Sequence, residues 1–180
     1  MKPILIFFAA LSAVGLALSI VSHAAALLGI RGPLGDFTPV LHVGIFVVWI
    51  PTVLVANRFT RNASRKDFWK VALRGCPSWM KYMTYAFFGY ALLNFLIFIM
   101  VLPKAGGTGP MPPQVVRGFS GHWMAFYSAA LAVLYSAVNL WDEDLERHCP
   151  NGHAVQPLAK FCDQCGQPIT QIAPEPKFTK

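Results

Sequence analysis

Three of the four cysteines in the chain, Cys149, Cys162 and Cys165, lie close together near its C-terminal end, with His153 between them. Thiolates and imidazole nitrogens are donors that zinc takes, and clustered at this spacing they point to metal ligation in a reducing compartment rather than to disulfides. The two-residue gap between Cys162 and Cys165 lets one tight turn aim both sulfurs at one ion, and Gly166 supplies the backbone freedom such a turn needs. Three residues separate Cys149 from His153, and the longer reach of imidazole can close that gap. Four protein ligands leave no coordination position for water, so the expected site is structural. Phe161 and Leu158 are expected to supply almost all of its core. A segment this small cannot hold itself together by burial, so metal would supply folding free energy on the order of 10 kcal/mol.

The residues CP at Cys149 and FCDQCG around Cys162 and Cys165 resemble the short zinc-ribbon family, over roughly residues 149–169. The family pattern is a Cys-Pro-x-Cys-Gly knuckle, a short spacer, then Phe-Cys-x-x-Cys-Gly. The chain departs from it at Gly152, where the family has cysteine, with His153 next to it. The resemblance implies a three-cysteine, one-histidine structural zinc site.

Hydrophobic residues make up 55% of the 180 and charged residues only 13%, far from the makeup of a soluble domain. Four apolar runs, at about 4–30, 37–56, 82–102 and 123–141, each approach the roughly 20 residues needed to cross a hydrocarbon core of about 30 Å. The expected fold class is an all-α membrane protein, a four-transmembrane-helix bundle with a small C-terminal zinc ribbon. Residues 1–141 would form the bundle, 142–148 an acidic stalk, 149–170 the ribbon and 171–180 a flexible tail. Pro51 inside the second run is tolerable where neighbours satisfy the freed carbonyl. A competing reading of the first run is a cleaved signal peptide, with SHAAA at 22–26 as the cleavage region, although its apolar stretch is longer than usual.

The net charge is +7, and Arg58, Arg61, Arg65, Lys66, Lys70, Arg74 and Lys81 contribute seven of the 15 basic residues. A basic stretch between apolar runs marks the cytoplasmic side of a membrane more often than a nucleic-acid groove. Segment 58–81 is therefore expected at the cytoplasmic surface of a plasma or bacterial inner membrane, with both termini cytoplasmic. That orientation puts the thiolates where they survive. Ser64 and Asp67 suggest a helix start, with Phe68, Trp69, Ala72 and Leu73 on one face of a short amphipathic helix, and Trp79, Tyr82 and Tyr85 at the interface. A solvated loop is the plainer alternative. Cys76 reads as a lone, partly buried thiol.

Ala125, Ala129, Ala132 and Ser136 in the fourth run, and Ala9, Ala13 and Ala17 in the first, form small ridges suited to close packing within the chain or between copies. The segment between Pro103 and Gly121, with four Pro and five Gly, reads as irregular. Asn94 and Asn139 read as interhelical hydrogen-bonding groups.

His23, His42 and His122 fall at similar depth near the outer ends of their helices. Two could ligate a b-type haem, or the three could bind a metal, a quinone or another ligand. Interfacial histidines also bond to headgroups, water or a neighbouring helix, and the sequence favours that simpler role. Apart from these histidines the expected spans hold no Asp, Glu, Lys or Arg, which argues against a proton-coupled pump. No nucleophile with its base, paired carboxylates or phosphate loop is recognisable. The sequence therefore points to a membrane anchor displaying a zinc ribbon for a protein partner, with nucleic acid a less favoured partner. A redox or ligand-binding protein using the outer histidines is the alternative, and a small-solute transporter or channel a third.

Overall fold

The computed structural model describes residues 2–30, 32–61, 63–100, 112–140, 147–155 and 159–169. Among these, the apolar runs form long helices: α1 (Lys2–Leu27), α2 (Val40–Thr60), α4 (Ser78–Met100) and α5 (Pro113–Leu140). All four are long and apolar enough to cross a membrane, by length and composition. A short helix, α3 (Phe68–Ala72), lies between α2 and α4, and β1 (Arg147–His148) pairs antiparallel with β2 (Ala154–Val155).

Local chemistry sets the helix ends. α1 stops before residue 30 because Gly29 turns into the left-handed region at φ 70°, and the Ile30 N–H then closes back on the Ala25 carbonyl at 3.0 Å, a helix-ending pattern glycine favours. α2 instead outlasts its apolar run by a turn, through Asn57 and Arg58 to Thr60, since polar residues at a helix end can keep helical backbone while their heads reach out.

The largest departure from expectation is at α5, which starts at Pro113 rather than near residue 123. Proline suits a first helical position, where its missing N–H is no loss. Gly118 and Gly121 continue the helix because they are contact points: a Cβ at Gly118 would overlap the Phe98 ring, and one at Gly121 would meet the Asn94 amide. Asn94 donates to the carbonyls of Arg117 (2.8 Å) and Gly118 (3.2 Å). Of the segment expected to be irregular, residues 113–121 are thus helical, and 103–111 lie outside the described residues. The proposed stalk residues 142–146 and the tail 171–180 also lie outside them.

The four long helices run up and down, and α5 is the one the other three pack around. Leu5 of α1 and Val55 and Phe59 of α2 meet Leu134, Ala137 and Leu140 at the far end of α5, whereas Leu16 of α1 and Leu41 and Ile45 of α2 meet Trp123, Met124 and Tyr127 nearer its start. The ridge Ala125, Ala129, Ala132 and Ser136 is buried, and so are Ser120, Ser128, Ala130 and Ala137. On α1 only Ala9 of the expected alanine ridge packs within the chain: Ala13 and Ala17 are exposed, and Ser12, Gly15, Ser19 and Ser22 face inward. The hydroxyls of Ser12 and Ser19 fold back onto the carbonyls of Phe8 (2.8 Å) and Gly15 (2.7 Å). So satisfied, serine packs as a small residue and lets backbones approach.

The segment after α2 meets the amphipathic expectation in part: Phe68, Ala72 and Leu73 pack inward as expected, and Trp69 does not. Ser64 Oγ donates to the Asp67 carboxylate (2.7 Å) instead of capping the backbone, and with Lys70 at 3.0 Å this holds the Asp67 carboxyl below its usual range. The helix that follows spans only Phe68–Ala72, and Val71, Ala72, Leu73 and Cys76 form its inward face while Trp69 is exposed. The turn is clamped to α5: the Gly75 N–H donates to Ser136 Oγ (3.0 Å), Asn139 donates to the Gly75 carbonyl (3.1 Å), and Cys76 Sγ donates to the Ala132 carbonyl (2.9 Å). Burial pushes the Cys76 thiol up to about 11, consistent with a packing role.

Two glycines give this packing a test. A Cβ on Gly15 would overlap the Tyr127 ring, whereas one on Gly89 meets nothing within 4 Å. Gly15→Ala should therefore lower stability by about 1–3 kcal/mol despite alanine's better helix propensity. Gly89→Ala should raise it by up to about 1 kcal/mol. Thermal unfolding in detergent reads both, and equal shifts for the two variants would contradict the contact.

Candidate metal centre

Two turns carry the four candidate ligands, and the first is one residue tighter than the second. In the first, the Gly152 N–H donates to the Cys149 carbonyl (2.8 Å) and the Cys149 N–H to the His153 carbonyl (2.9 Å). In the second, the Gly166 N–H donates to the Cys162 carbonyl (2.9 Å) and the Cys162 N–H to the Gln167 carbonyl (2.9 Å). Each turn needs a residue in the left-handed region and has glycine there, Gly152 at φ 81° and Gly166 at φ 69°. The β1–β2 pair, Arg147 with Val155 and His148 with Ala154, frames the first turn. An isolated bridge between Phe161 and Pro168, with the Ile169 N–H donating to the Lys160 carbonyl (2.8 Å), frames the second.

The ligand atoms of Cys149, His153, Cys162 and Cys165 all lie within 4.8 Å of one another, the one such group of three or more His, Cys, Asp or Glu among the described residues. Cys149 Sγ is 3.5 Å from His153 Nδ1 and 3.6 Å from Cys165 Sγ, and Cys162 Sγ is 3.7 Å from His153 Nδ1. With metal–sulfur distances of about 2.3 Å and metal–nitrogen distances of about 2.0–2.1 Å, a tetrahedral zinc ion would set its ligand atoms about 3.5–3.8 Å apart. The cluster can therefore hold a metal ion such as zinc.

Its electrostatics suit a cation. Burial opposes ionisation of Cys149, but the N–H groups of His153 and Asn151 and the sulfurs of Cys165 and Cys162 outweigh it and hold the thiol below its usual value. Burial likewise opposes ionisation of Cys162, and the N–H groups of Gln164 and Cys165 with the neighbouring ligands reverse it. For Cys165 the Gln167 N–H favours the thiolate, yet burial and the Cys162 and Cys149 sulfurs push the thiol up. A cation bound among the three sulfurs would favour the thiolate form of each.

The small core differs from expectation. Cys149, Val155, Cys162 and Ile169 form it, with Ala159 and Cys165 alongside. Phe161 is 62% exposed, because extended neighbours point to opposite faces and Cys162 takes the inward one. Leu158 lies outside the described residues.

The three helix histidines separate into two sites. His42 and His122 pair: the Trp123 indole N–H donates to His42 Nδ1 at 3.1 Å, and His122 Nε2 lies 3.4 Å from the same nitrogen. Their rings are in edge contact with centroids 5.4 Å apart. His23 is elsewhere and nearly fully buried, bonded through Nδ1 to Ser120 Oγ (2.6 Å) and through Nε2 to the Tyr90 hydroxyl (2.5 Å). The sequence reading did not single out Tyr90, Ser120 or Trp123. Tyr90 could have been noticed as a polar group midway along an apolar run.

Of the basic residues 58–81, Arg58 ends α2 and Arg61 follows it, Arg65 and Lys66 lie in the 3-10 turn before α3, Lys70 is in α3, Arg74 follows it and Lys81 opens α4. Arg58, Arg61, Arg65, Lys66 and Lys70 are exposed. No family model, curated protein or solved structure matches the chain.

Gly152→Ala tests the first turn. At φ 81° a side chain costs about 1–2 kcal/mol, so metal affinity should fall about 5- to 30-fold in competition with a chromophoric chelator. An unchanged affinity would mean the turn does not set the ligand geometry.

Proposed function

We propose that the chain is an integral membrane protein whose four long helices span a plasma or bacterial inner membrane with both termini cytoplasmic, and that it displays a structural zinc ribbon to a protein partner. Residues 1–141 would be the membrane domain, 142–148 a stalk, 149–170 the ribbon and 171–180 a flexible tail. The observation that carries the reading is the gathering of four candidate ligands, Cys149, His153, Cys162 and Cys165, with their ligand atoms within 4.8 Å of one another. A set filled by protein donors has no place for a water nucleophile, so the metal shapes a surface instead of catalysing.

The membrane placement is supported by the outward faces of α1, α2 and α4, which carry Phe7, Ile50, Leu54, Phe88 and Leu96. Trp69, Trp79, Tyr82 and Tyr85 are exposed at the end of the bundle that carries the basic residues. Aromatic rings beside lysine and arginine are the pattern of a cytoplasmic interface.

Elemental analysis of the detergent-purified protein should find about one zinc per chain. Cys162→Ser should lose that zinc and open residues 147–169 to protease while leaving helix content unchanged. Stoichiometric zinc in that variant would overturn the ribbon. Labelling a cysteine introduced at Lys160, in a variant whose other thiols are blocked by zinc or burial, from one side of sealed vesicles reads the orientation.

A further inference from the structure

The outward face of α2 runs without a break from apolar side chains to cations. Ile50 and Leu54 are exposed on it, and Arg61, also exposed, follows Leu54 by seven residues. Arg61 keeps helical backbone, at φ −49° and ψ −40°, so it comes round to the side that Leu54 faces, about 10 Å further on at about 1.5 Å per residue. The same division continues in the next turn. Phe68, Val71 and Ala72 pack inward, whereas Arg65, Lys66, Trp69 and Lys70 are exposed. Trp79 and Tyr82 are exposed where α4 begins.

Little within the chain offsets these charges. Asp67 is the only Asp or Glu between residues 37 and 141, and its carboxylate accepts from Ser64 Oγ (2.7 Å) and Lys70 Nζ (3.0 Å). Among the described residues no ion pair holds the side chain of Arg61, Arg65 or Lys66. Even with Asp142, Glu143, Asp144 and Glu146 counted beside Asp67, the seven Lys and Arg of residues 58–81 outnumber the carboxylates seven to five. This end of the bundle therefore needs an anion from outside the chain.

We infer that this face, from Leu54 through Arg61 to Arg65, Lys66 and Lys70, binds anionic phospholipids in preference to zwitterionic ones. A guanidinium donates to two phosphate oxygens at once, and a zwitterionic headgroup already carries an ammonium against its phosphate, whereas an anionic one does not. An acyl chain lying along Ile50 and Leu54 brings its phosphodiester to the level of Arg61, with Trp69 and Trp79 in the headgroup layer. A soluble phosphate or a nucleic acid would use the cations alone and leave Leu54, Trp69 and Trp79 uncovered; a lipid covers both parts of the face. The inference rests on the proposed placement of the four helices in a membrane and is independent of the metal centre.

The test reconstitutes full-length protein into vesicles of equal parts phosphatidylglycerol and phosphatidylcholine with the same acyl chains, extracts it gently in detergent, and counts the retained lipids by native mass spectrometry. Wild type should retain phosphatidylglycerol over phosphatidylcholine by about 25-fold, two cations at about fivefold each. Arg61→Gln should lower that preference about fivefold, and Arg61→Lys should keep most of it. Arg117→Gln, exposed near the start of α5 at the opposite end of the bundle, should leave it unchanged. Circular dichroism confirms that each variant is folded. Equal retention of the two lipids by wild type, equal losses in Arg61→Gln and Arg117→Gln, or displacement of phosphatidylglycerol by inorganic phosphate at the lipid's own concentration would overturn the inference. Flotation of the vesicles after an alkaline wash reads membrane insertion separately: protein that floats but shows no preference overturns this inference alone, and protein washed off the vesicles overturns the membrane placement with it.

Discussion

A helix surrounded by three others can carry large side chains only where a neighbour has none, and α5 sets the terms for the whole bundle in this way. Its inward positions are mostly Ala, Ser and Gly, and its buried Tyr127 sits against Gly15 of α1 and Gly44 of α2. The Tyr127 hydroxyl then donates to the Leu41 carbonyl (2.9 Å). One ring therefore fixes the register of two helices against a third. In water such a contact would be one among many apolar gains. In a membrane, as proposed for this chain, burial of apolar surface would add little, and shape fit and hydrogen bonds would decide the arrangement.

That register explains where the histidines fall. Moving from Gly15 to His23 advances about 12 Å along α1, and moving from Tyr127 back to Ser120 retreats about 10 Å along antiparallel α5, at about 1.5 Å per residue. The contact between Gly15 and Tyr127 thus brings His23 to Ser120. The same anchoring on α2 places His42 beside Trp123. Similar depth in three helices was readable from residue number, but depth alone does not say which faces meet. The bundle divides the histidines by face, His23 toward α4 and the other two against each other.

Element existence was legible because apolar runs of this length have few alternatives. Faces were harder. The packed and outward sides of α1 are both apolar, and α1 offers alanine and serine ridges of similar size with nothing in composition to rank them. Within the chain the structure selects serine, and the hydroxyls of Ser12 and Ser19 are satisfied within the helix. The start of α5 was hidden by glycines that ordinarily signal a loop, yet Gly118 and Gly121 serve the approach of Phe98 and Asn94. Glycine as punctuation and glycine as a packing surface have the same letter, and only the partner distinguishes them.

The candidate metal centre was legible in the residues that gather there and less so in its backbone. In the ribbon pattern that the segment resembles, a ligand at the end of the first turn precedes the glycine. Here the two have exchanged places: Gly152 takes the left-handed position and His153 follows it. A cysteine at 152 would have to adopt a conformation that side chains resist, so a thiol cannot simply be restored there without rebuilding the turn. The tighter turn also moves the ligand onto the residue whose carbonyl accepts the Cys149 N–H. His153 consequently closes the β1–β2 hairpin with its backbone and the ligand set with Nδ1, which ties strand pairing to metal capture in a segment whose buried core is only Cys149, Val155, Cys162 and Ile169.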